Sequence, residues 1–305
     1  MIFYSHKCGQ LGNRLFIFAH LIANAAANNY VIVNLSFGEY AKYFQGTSKD
    51  LWCRYPSRKS IIKSQSLRSL LFVVNKAILK VLRIIPITES SVHSIQLADI
   101  PEYDFDKDEY FELDEYNFKS IASQKPIVFM FGRFFRDFNN FEKYKNDIRE
   151  FFRPLRSIEE TVDNLVKPLK LKADIVIGIH IRGGDYRQFA DGKYFFSQDD
   201  YYRIMKNFLE SVRPKKVWFV LCSNESIDQE LFSGMNYTIG TGHFVTDMYT
   251  LSACDLIMGP PSSYSLWASF YRHIPLYQIR DKDRFPTLDD FVLLPPKQLF
   301  DFSIR

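Results

Sequence analysis

The sequence predicts an α/β protein built on parallel sheets with helices on both faces. Three observations carry that expectation. Residues 1 to 35 read as strand, glycine loop, helix and strand. The stretch from 174 to 272 alternates short apolar runs with helical periodicities, the pattern of a parallel sheet joined by crossover helices. At 305 residues the chain is long enough for two ordinary domains and a sizeable core.

The elements follow in order. In "MIFYSHKCGQLGNRLFIFAHLIANAAANNYVIVNL", Gly9 and Gly12 bracket a tight loop. Leu15, Phe16, Ala19, Leu21, Ile22 and Ala26 then give a helix with a broad apolar face, and "YVIVNL" is the next strand. Residues 59 to 86 stand apart. Leu67, Leu70, Leu71, Val74, Ile78, Val81 and Ile85 share one helical stripe, with Lys76, Lys80 and Arg83 on the opposite side. Two readings fit: a basic amphipathic helix lying on an anionic membrane surface, or a core helix whose lysines snorkel. From 99 to 116 the chain turns acidic and reads as a solvated loop with short strand pieces. "PIVFMFG" is a strand ending at Gly132, followed by an aromatic loop and helix.

A helical segment near 157 to 170 and the polar "KPLKLKAD" mark the passage to a second unit. The expected division is 1–165 and 166–305, with a C-terminal tail that can return to the first unit. In the second unit "DIVIGIHI", "KVWFVLCS", "YTIG" and "DLIMG" are strands. "SQDDYYRIMKNFLESV" is a helix N-capped by Ser197, and "SIDQELFSG", "DMYTLSAC" and "SSYSLWASFYR" are the other helices.

Composition narrows the function classes. Apolar residues make up 47% and charged residues 24%, the balance of a soluble globular protein. A net charge of +4 fits an anionic ligand but lacks the concentrated basic stripe of a nucleic-acid binder. Cys8, Cys53, Cys222 and Cys254 lie far apart, which suits neither a zinc site nor a small disulfide framework and points to a reducing compartment. With no secretory signal and no run of about 20 apolar residues, the expected location is cytoplasmic. Peripheral contact at the inner membrane face follows if 59–86 touches lipid.

Chemistry concentrates at strand ends. In "IGIHIRGGDYRQF" the strand closes on His180, Arg182, Gly183, Gly184 and Asp185. An arginine fork there can hold a diphosphate, the glycines letting the ligand approach the backbone. An Arg182–Asp185 ion pair closing the turn explains the same residues equally well. "CDLIMGPPSSYSLWASFY" ends a strand in a Gly-Pro-Pro turn and opens a helix on Ser262 and Ser263. Free N–H groups and the helix dipole make that start a phosphate cradle, unless the serines are simple N-caps. Asp247 opens the preceding helix. It can accept from N1–H and the 2-amino group of guanine, or merely stabilise its own helix N-terminus. A metal site from His180, Asp185, His243 and Asp247 has no supporting ligand spacing.

The chain resembles the glycosyltransferase family 11 α-1,2-fucosyltransferases, within the GDP-fucose-dependent superfamily. "GQLGNRLFIFA" is similar to the family's G-x-L-G-N-x-L-F-x-Y-A opening and "HIRGGDY" to its H-x-R-R-G-D-Y signature. "DMYTLSACDLIMGPPSSYSLWAS" is similar to its closing segment. Only about 36 to 125 lacks an obvious match.

The resemblance implies a GT-B architecture, two Rossmann-like halves facing a cleft: an acceptor-side N-terminal domain and a C-terminal GDP-sugar domain. It implies inverting transfer of L-fucose from GDP-β-L-fucose to a glycan or lipid-linked oligosaccharide, with no metal or other cofactor. Arg182 would hold the β-phosphate, His180 lie alongside, Asp247 read guanine, and Ser262 and Ser263 bind the diphosphate. Asp191 is the expected base. Asp185 is the other candidate, or a brace for Arg182. Gly12, Asn13 and Arg14 would touch donor or acceptor. Two departures stand out. The family's second arginine is Gly183 here, so its hold on phosphate is either missing or supplied by Arg187 or Arg14. Tyr264 with Leu266-Trp267 replaces the usual aromatics. A non-catalytic GDP-sugar or glycan binder, or a transferase of another GDP-linked sugar, is the alternative.

Overall fold

The computed structural model describes residues 1–61, 64–84, 92–96, 110–132 and 134–295. The acidic stretch 99–109 and the C-terminal tail expected to return to the first unit lie outside the described residues. The described residues form two compact units, 1–155 and 156–295.

The first unit runs β1 (Ile2–Tyr4), α1 (Leu11–Asn28), β2 (Ile32–Asn34), α2 (Gln45–Ser48), β3 (Arg54–Tyr55), α3 (Gln65–Ile84) and β4 (Val92–Gln96). It continues with β5 (Phe111–Glu112), α4 (Tyr116–Gln124), β6 (Ile127–Phe131), β7 (Phe135–Arg136), α5 (Phe138–Lys143) and α6 (Lys145–Phe151). Five strands pair in the order β3-β2-β1-β6-β4. All neighbours are parallel except β2 and β3. The helix α1 is buried from Leu11 to Ala25 along its apolar face, as its pattern requires. Its Phe18 joins Phe37, Phe44, Phe151 and Phe152 in a cluster with ring centroids 5.0 to 5.8 Å apart, several of them edge to face. Five of the 29 phenylalanines meet here.

Helix α3 is not the core helix that one of the two sequence readings expects. Its buried face is not the apolar stripe: Arg68 and Asn75 are buried, while Leu70, Val73, Val74 and Ile78 face solvent. The Arg68 guanidinium donates to the carbonyls of Thr47, Ser48 and Asp50 at 3.0 to 3.1 Å. Asn75 donates to Ser5 Oγ.

The second unit runs α7 (Arg156–Lys170), β8 (Ile175–Ile181), α8 (Gln198–Ser211), β9 (Val217–Ser223), β10 (Tyr237–Ile239), α9 (Phe244–Ala253), β11 (Leu256–Gly259), α10 (Ser263–Arg272) and β12 (Leu276–Gln278). The division falls at 155 and not 165, because α7 buries Val162, Val166 and Leu169 and packs on α9. All five strands are parallel, in the order β10-β9-β8-β11-β12. Helix α8 starts on a reciprocal cap in which Ser197 accepts from Asp200 N and Asp200 accepts from Ser197 N. The short helix expected over 226–234 is not there. Asp228 Oδ1 instead accepts from the backbone N–H of Glu230 and Leu231, and the segment stays a series of turns.

Gly178 shows how tightly β8 is covered. A Cβ at this position would lie 2.7 Å from Leu251 Cδ2 and 3.2 Å from Leu251 Cα on α9. Gly178→Val is therefore expected to destabilise the protein by roughly 1–3 kcal/mol. A denaturant midpoint equal to that of the wild type would contradict this packing.

Candidate functional site

In the second unit the chain leaves β8 toward β9 and β10, then crosses to β11 and β12 on the other side. Ligands of such sheets bind beyond the carboxyl ends of the strands where the order reverses, here between β8 and β11. These ends are adjacent. Met258 pairs with Ile179, and a Cβ on Gly259 would stand 2.8 Å from the Cβ of His180.

His180 is buried, its ring tilted 33° over Tyr264 with centroids 4.8 Å apart. Burial, and then the neighbouring Arg182 charge, lower its pKa from 6.5 to about 3. Its buried Nδ1 has no hydrogen-bond partner among the described residues. The sign of the pH dependence follows. The unfolded chain takes up a proton near pH 6.5 and the folded imidazole only near pH 3. Stability is therefore fully present above 6.5 and falls by about 1.4 kcal/mol per pH unit on the way down. His180→Asn should flatten the decline of Tm across that window, and an unchanged slope in thermal melts would count against it.

Arg182 follows β8 with its side chain 13% exposed, and its Nη2 donates to both carboxylate oxygens of Asp185 at 2.8 and 2.9 Å. Its guanidinium also lies 5.3 Å from the Tyr186 ring centre. Tyr186 is the link to β11: its hydroxyl donates to Pro261 O at 2.7 Å and its side chain hydrogen-bonds Ser262. The arginine strand end and the serine helix start are thus joined through one buried phenol. Ser262 N-caps α10 by accepting from Tyr264 N, and Ser263 is the first helical residue. No acidic residue stands in the first turn of α10, so nothing there opposes an anion. The Tyr264 hydroxyl, absent from the expected Phe, donates to Phe244 O at 2.7 Å and ties α10 to the start of α9. Trp267 is core, fully buried.

Three further residues join the site that sequence reasoning passed over: Tyr186, Asn224 and Glu225. Asn224 Oδ1 accepts from Gly183 N at 2.9 Å, and Glu225 Oε1 accepts from Gly184 N at 2.8 Å. Glu225 also holds the Arg187 guanidinium at 2.9 Å, which stacks 4.4 Å from the Phe195 ring centre. These contacts hold the Glu225 carboxyl below the usual range. A Cβ on Gly183 would stand 2.1 Å from Glu225 Oε2, so the carboxylate fills the place of a side chain at 183. The signal was available: "CSNES" is the polar end of the neighbouring strand, as exposed to the strand-end rule as "HIRGGD".

Asp247 lies buried in the first turn of α9, N-capped by His243. Its carboxylate reaches back to accept from Thr241 N, Thr241 Oγ1 and Gly242 N at 2.7, 2.8 and 3.0 Å. Burial raises its pKa, and those bonds oppose the shift. A carboxylate has about four acceptor positions; with three bracing the 241–242 loop, one remains for a ligand. Asp191 is exposed, in a loop where it and Ala190 both adopt left-handed backbone with φ of 55° and 49°. Gly12, Asn13 and Arg14 belong to the first unit, at the start of α1. Arg14 is engaged there by Glu39, Gly9 O and Ser36 O and lies over Tyr40. Asn13 covers Gly9, whose φ of +58° admits glycine best. Among the described residues no three His, Cys, Asp or Glu side chains gather as metal ligands would.

The family model of glycosyl transferase family 11 matches residues 54–274. The chain belongs to glycosyl transferase family 11. The match takes in "HIRGGDY" and the serine segment, begins inside the region where no motif was apparent, and starts after "GQLGNRLFIFA". No curated protein sequence matches the chain. Among solved structures, this family 11 glycosyltransferase is similar to an Arabidopsis thaliana FUT1 mutant in complex with GDP. That likeness has a TM-score of 0.54 and 13% identity over 92% of this chain and 71% of that one. It is also similar to POFUT1 in complex with GDP-fucose, at TM-score 0.53 and 12% identity over 94% and 96% of the two chains. Fucosyltransferase NodZ from Bradyrhizobium follows at 0.51 and 12%, over 91% and 94%. The family 11 chain has the GT-B α/β fold of these structures, with a parallel sheet at the centre of its second unit and a largely parallel one in the first.

Proposed function

We propose that this glycosyltransferase moves L-fucose from GDP-β-L-fucose to a galactoside hydroxyl of a glycan acceptor, forming an α-1,2 linkage with inversion. The observation that carries the reading is the joining of Arg182, Tyr186 and the Ser262-capped start of α10 at the strand-order reversal. POFUT1 and FUT1, which share the fold, bind GDP-fucose and GDP. The acceptor oxygen attacks the anomeric carbon, and the bond from that carbon to the β-phosphate oxygen breaks with its electron pair leaving on GDP. Arg182 and the N–H groups of α10 receive that charge, which leaves the reaction no need of a metal. The acceptor proton passes to Asp191, since Asp185 is committed to Arg182. His180 stays neutral beside the diphosphate.

Asp247 reads guanine with its remaining acceptor capacity and through the loop it braces. Titration calorimetry with GDP, UDP and ADP in EDTA tests this. The wild type should bind GDP selectively in the micromolar range without a divalent ion. Asp247→Ala should weaken GDP by about ten- to a hundredfold and UDP much less. Equal losses would assign Asp247 to loop bracing alone, and absent GDP binding would end the donor assignment. A second reading, a GDP-sugar binder without turnover, is favoured by one observation: a carboxylate, that of Glu225, stands against Gly183. Release of GDP from GDP-fucose in the presence of a galactoside decides between the two.

A further inference from the structure

Helix α3 is docked inside out. Its body-facing side is held by polar contacts, Arg68 on three carbonyls and Asn75 on Ser5. The side turned to solvent carries Leu70, Val73, Val74 and Ile78, exposed by 55, 60, 44 and 46%. Leu70, Val74 and Ile78 follow at four-residue intervals, so they form one ridge along the helix. Ile61, just before the helix, is fully exposed. Five of the fourteen large hydrophobics that stand exposed among the described residues thus fall between 61 and 78, which makes this a patch and not scatter.

Charge identifies what meets it. Residues 51–88 contain eight Lys and Arg and no Asp or Glu; two of the eight are engaged internally, Arg54 by Asp50 and Arg68 by the 47–50 carbonyls. Arg58 and Lys59 before the helix and Lys76 on it are exposed. Positions 80 and 83, the next along the helix from Lys76, are again Lys and Arg. An aliphatic ridge on a helix whose own stretch of sequence carries cations and no carboxylate suits a surface that is apolar beneath an anionic layer. No helix among the described residues is long and apolar enough to cross a membrane, so the contact is one of lying on the surface.

We infer that α3 seats the protein on an anionic lipid surface, with Leu70, Val74 and Ile78 entering the acyl boundary and the flanking cations meeting headgroup phosphates. The inference is independent of the reaction proposed above.

The purified full chain is sedimented with phosphatidylcholine vesicles, with and without phosphatidylglycerol, at low and high salt. The expected result is binding to the anionic vesicles alone, weakened by salt. It should fall by at least about tenfold in two variants, L70Q/V74Q/I78Q and R58E/K59E/K76E. Both variants alter exposed positions and should keep the wild-type circular dichroism and melting temperature. If the wild type stays in the supernatant, or the variants bind as well as it does, the inference fails. If α3 instead pairs two copies, the wild type will sediment as a concentration-dependent dimer that L70Q/V74Q/I78Q dissolves, and that result overturns it too.

Discussion

Arg182→Ala is expected to lower kcat/KM for fucosyl transfer by about 10²- to 10³-fold or more, with the unfolding transition little changed. The side chain is mostly enclosed, yet its carboxylate partner Asp185 is 53% exposed and stays hydrated when the guanidinium is gone. Removing the ion pair therefore costs little stability, whereas a leaving diphosphate is deprived of the charge that follows β8. Arg182→Lys should recover only part of the rate, since an ammonium cannot offer the planar fork. Turnover near the wild-type value in Arg182→Ala would remove the phosphate assignment altogether.

The second large effect is expected at Asp191. Asp191→Asn should reduce kcat by about 10²- to 10⁴-fold, the usual scale for a positioned proton acceptor, while GDP affinity in calorimetry stays within about twofold of the wild type on the same argument. Asp185→Asn should act in the opposite way, loosening GDP through Arg182 more than it slows chemistry. Two adjacent left-handed residues, Ala190 and Asp191, shape the loop that carries the proposed base, and non-glycine residues there each store on the order of 1 kcal/mol. Should Asp191→Asn turn over normally while Asp185→Asn is dead, the two roles are exchanged.

The sequence announces those features whose cause is local. A run of β-branched residues delivered β8, short apolar runs delivered β9 and β11, and Ser197 ahead of a helical periodicity delivered the N-cap of α8. The strand-end rule brought out His180, Arg182, Ser262 and Ser263 because polar residues interrupt apolar runs there. Non-local causes were hidden. Nothing in the periodicity of 65–84 tells that Arg68 will find three carbonyls of the 47–50 turn and draw the polar side inward. The turns over 226–234 arise from one aspartate competing with a helix. Tyr186 lies inside "HIRGGDY", but its link to Pro261 spans a crossing from one strand to another that spacing along the chain cannot report.

The Glu225 carboxylate against Gly183 has a consequence for how a diphosphate would come and go. Both arginines that follow β8 already carry an internal counterion, Arg182 with Asp185 and Arg187 with Glu225. An arriving nucleotide would therefore trade places with an anion the protein carries, and only the difference between the two would appear as affinity. The same trade in reverse gives the spent nucleotide a competitor tethered beside it. If the proposed donor site holds, a glycine at 183, by admitting the Glu225 carboxylate, would shorten the residence of a bound diphosphate as well as weaken its capture.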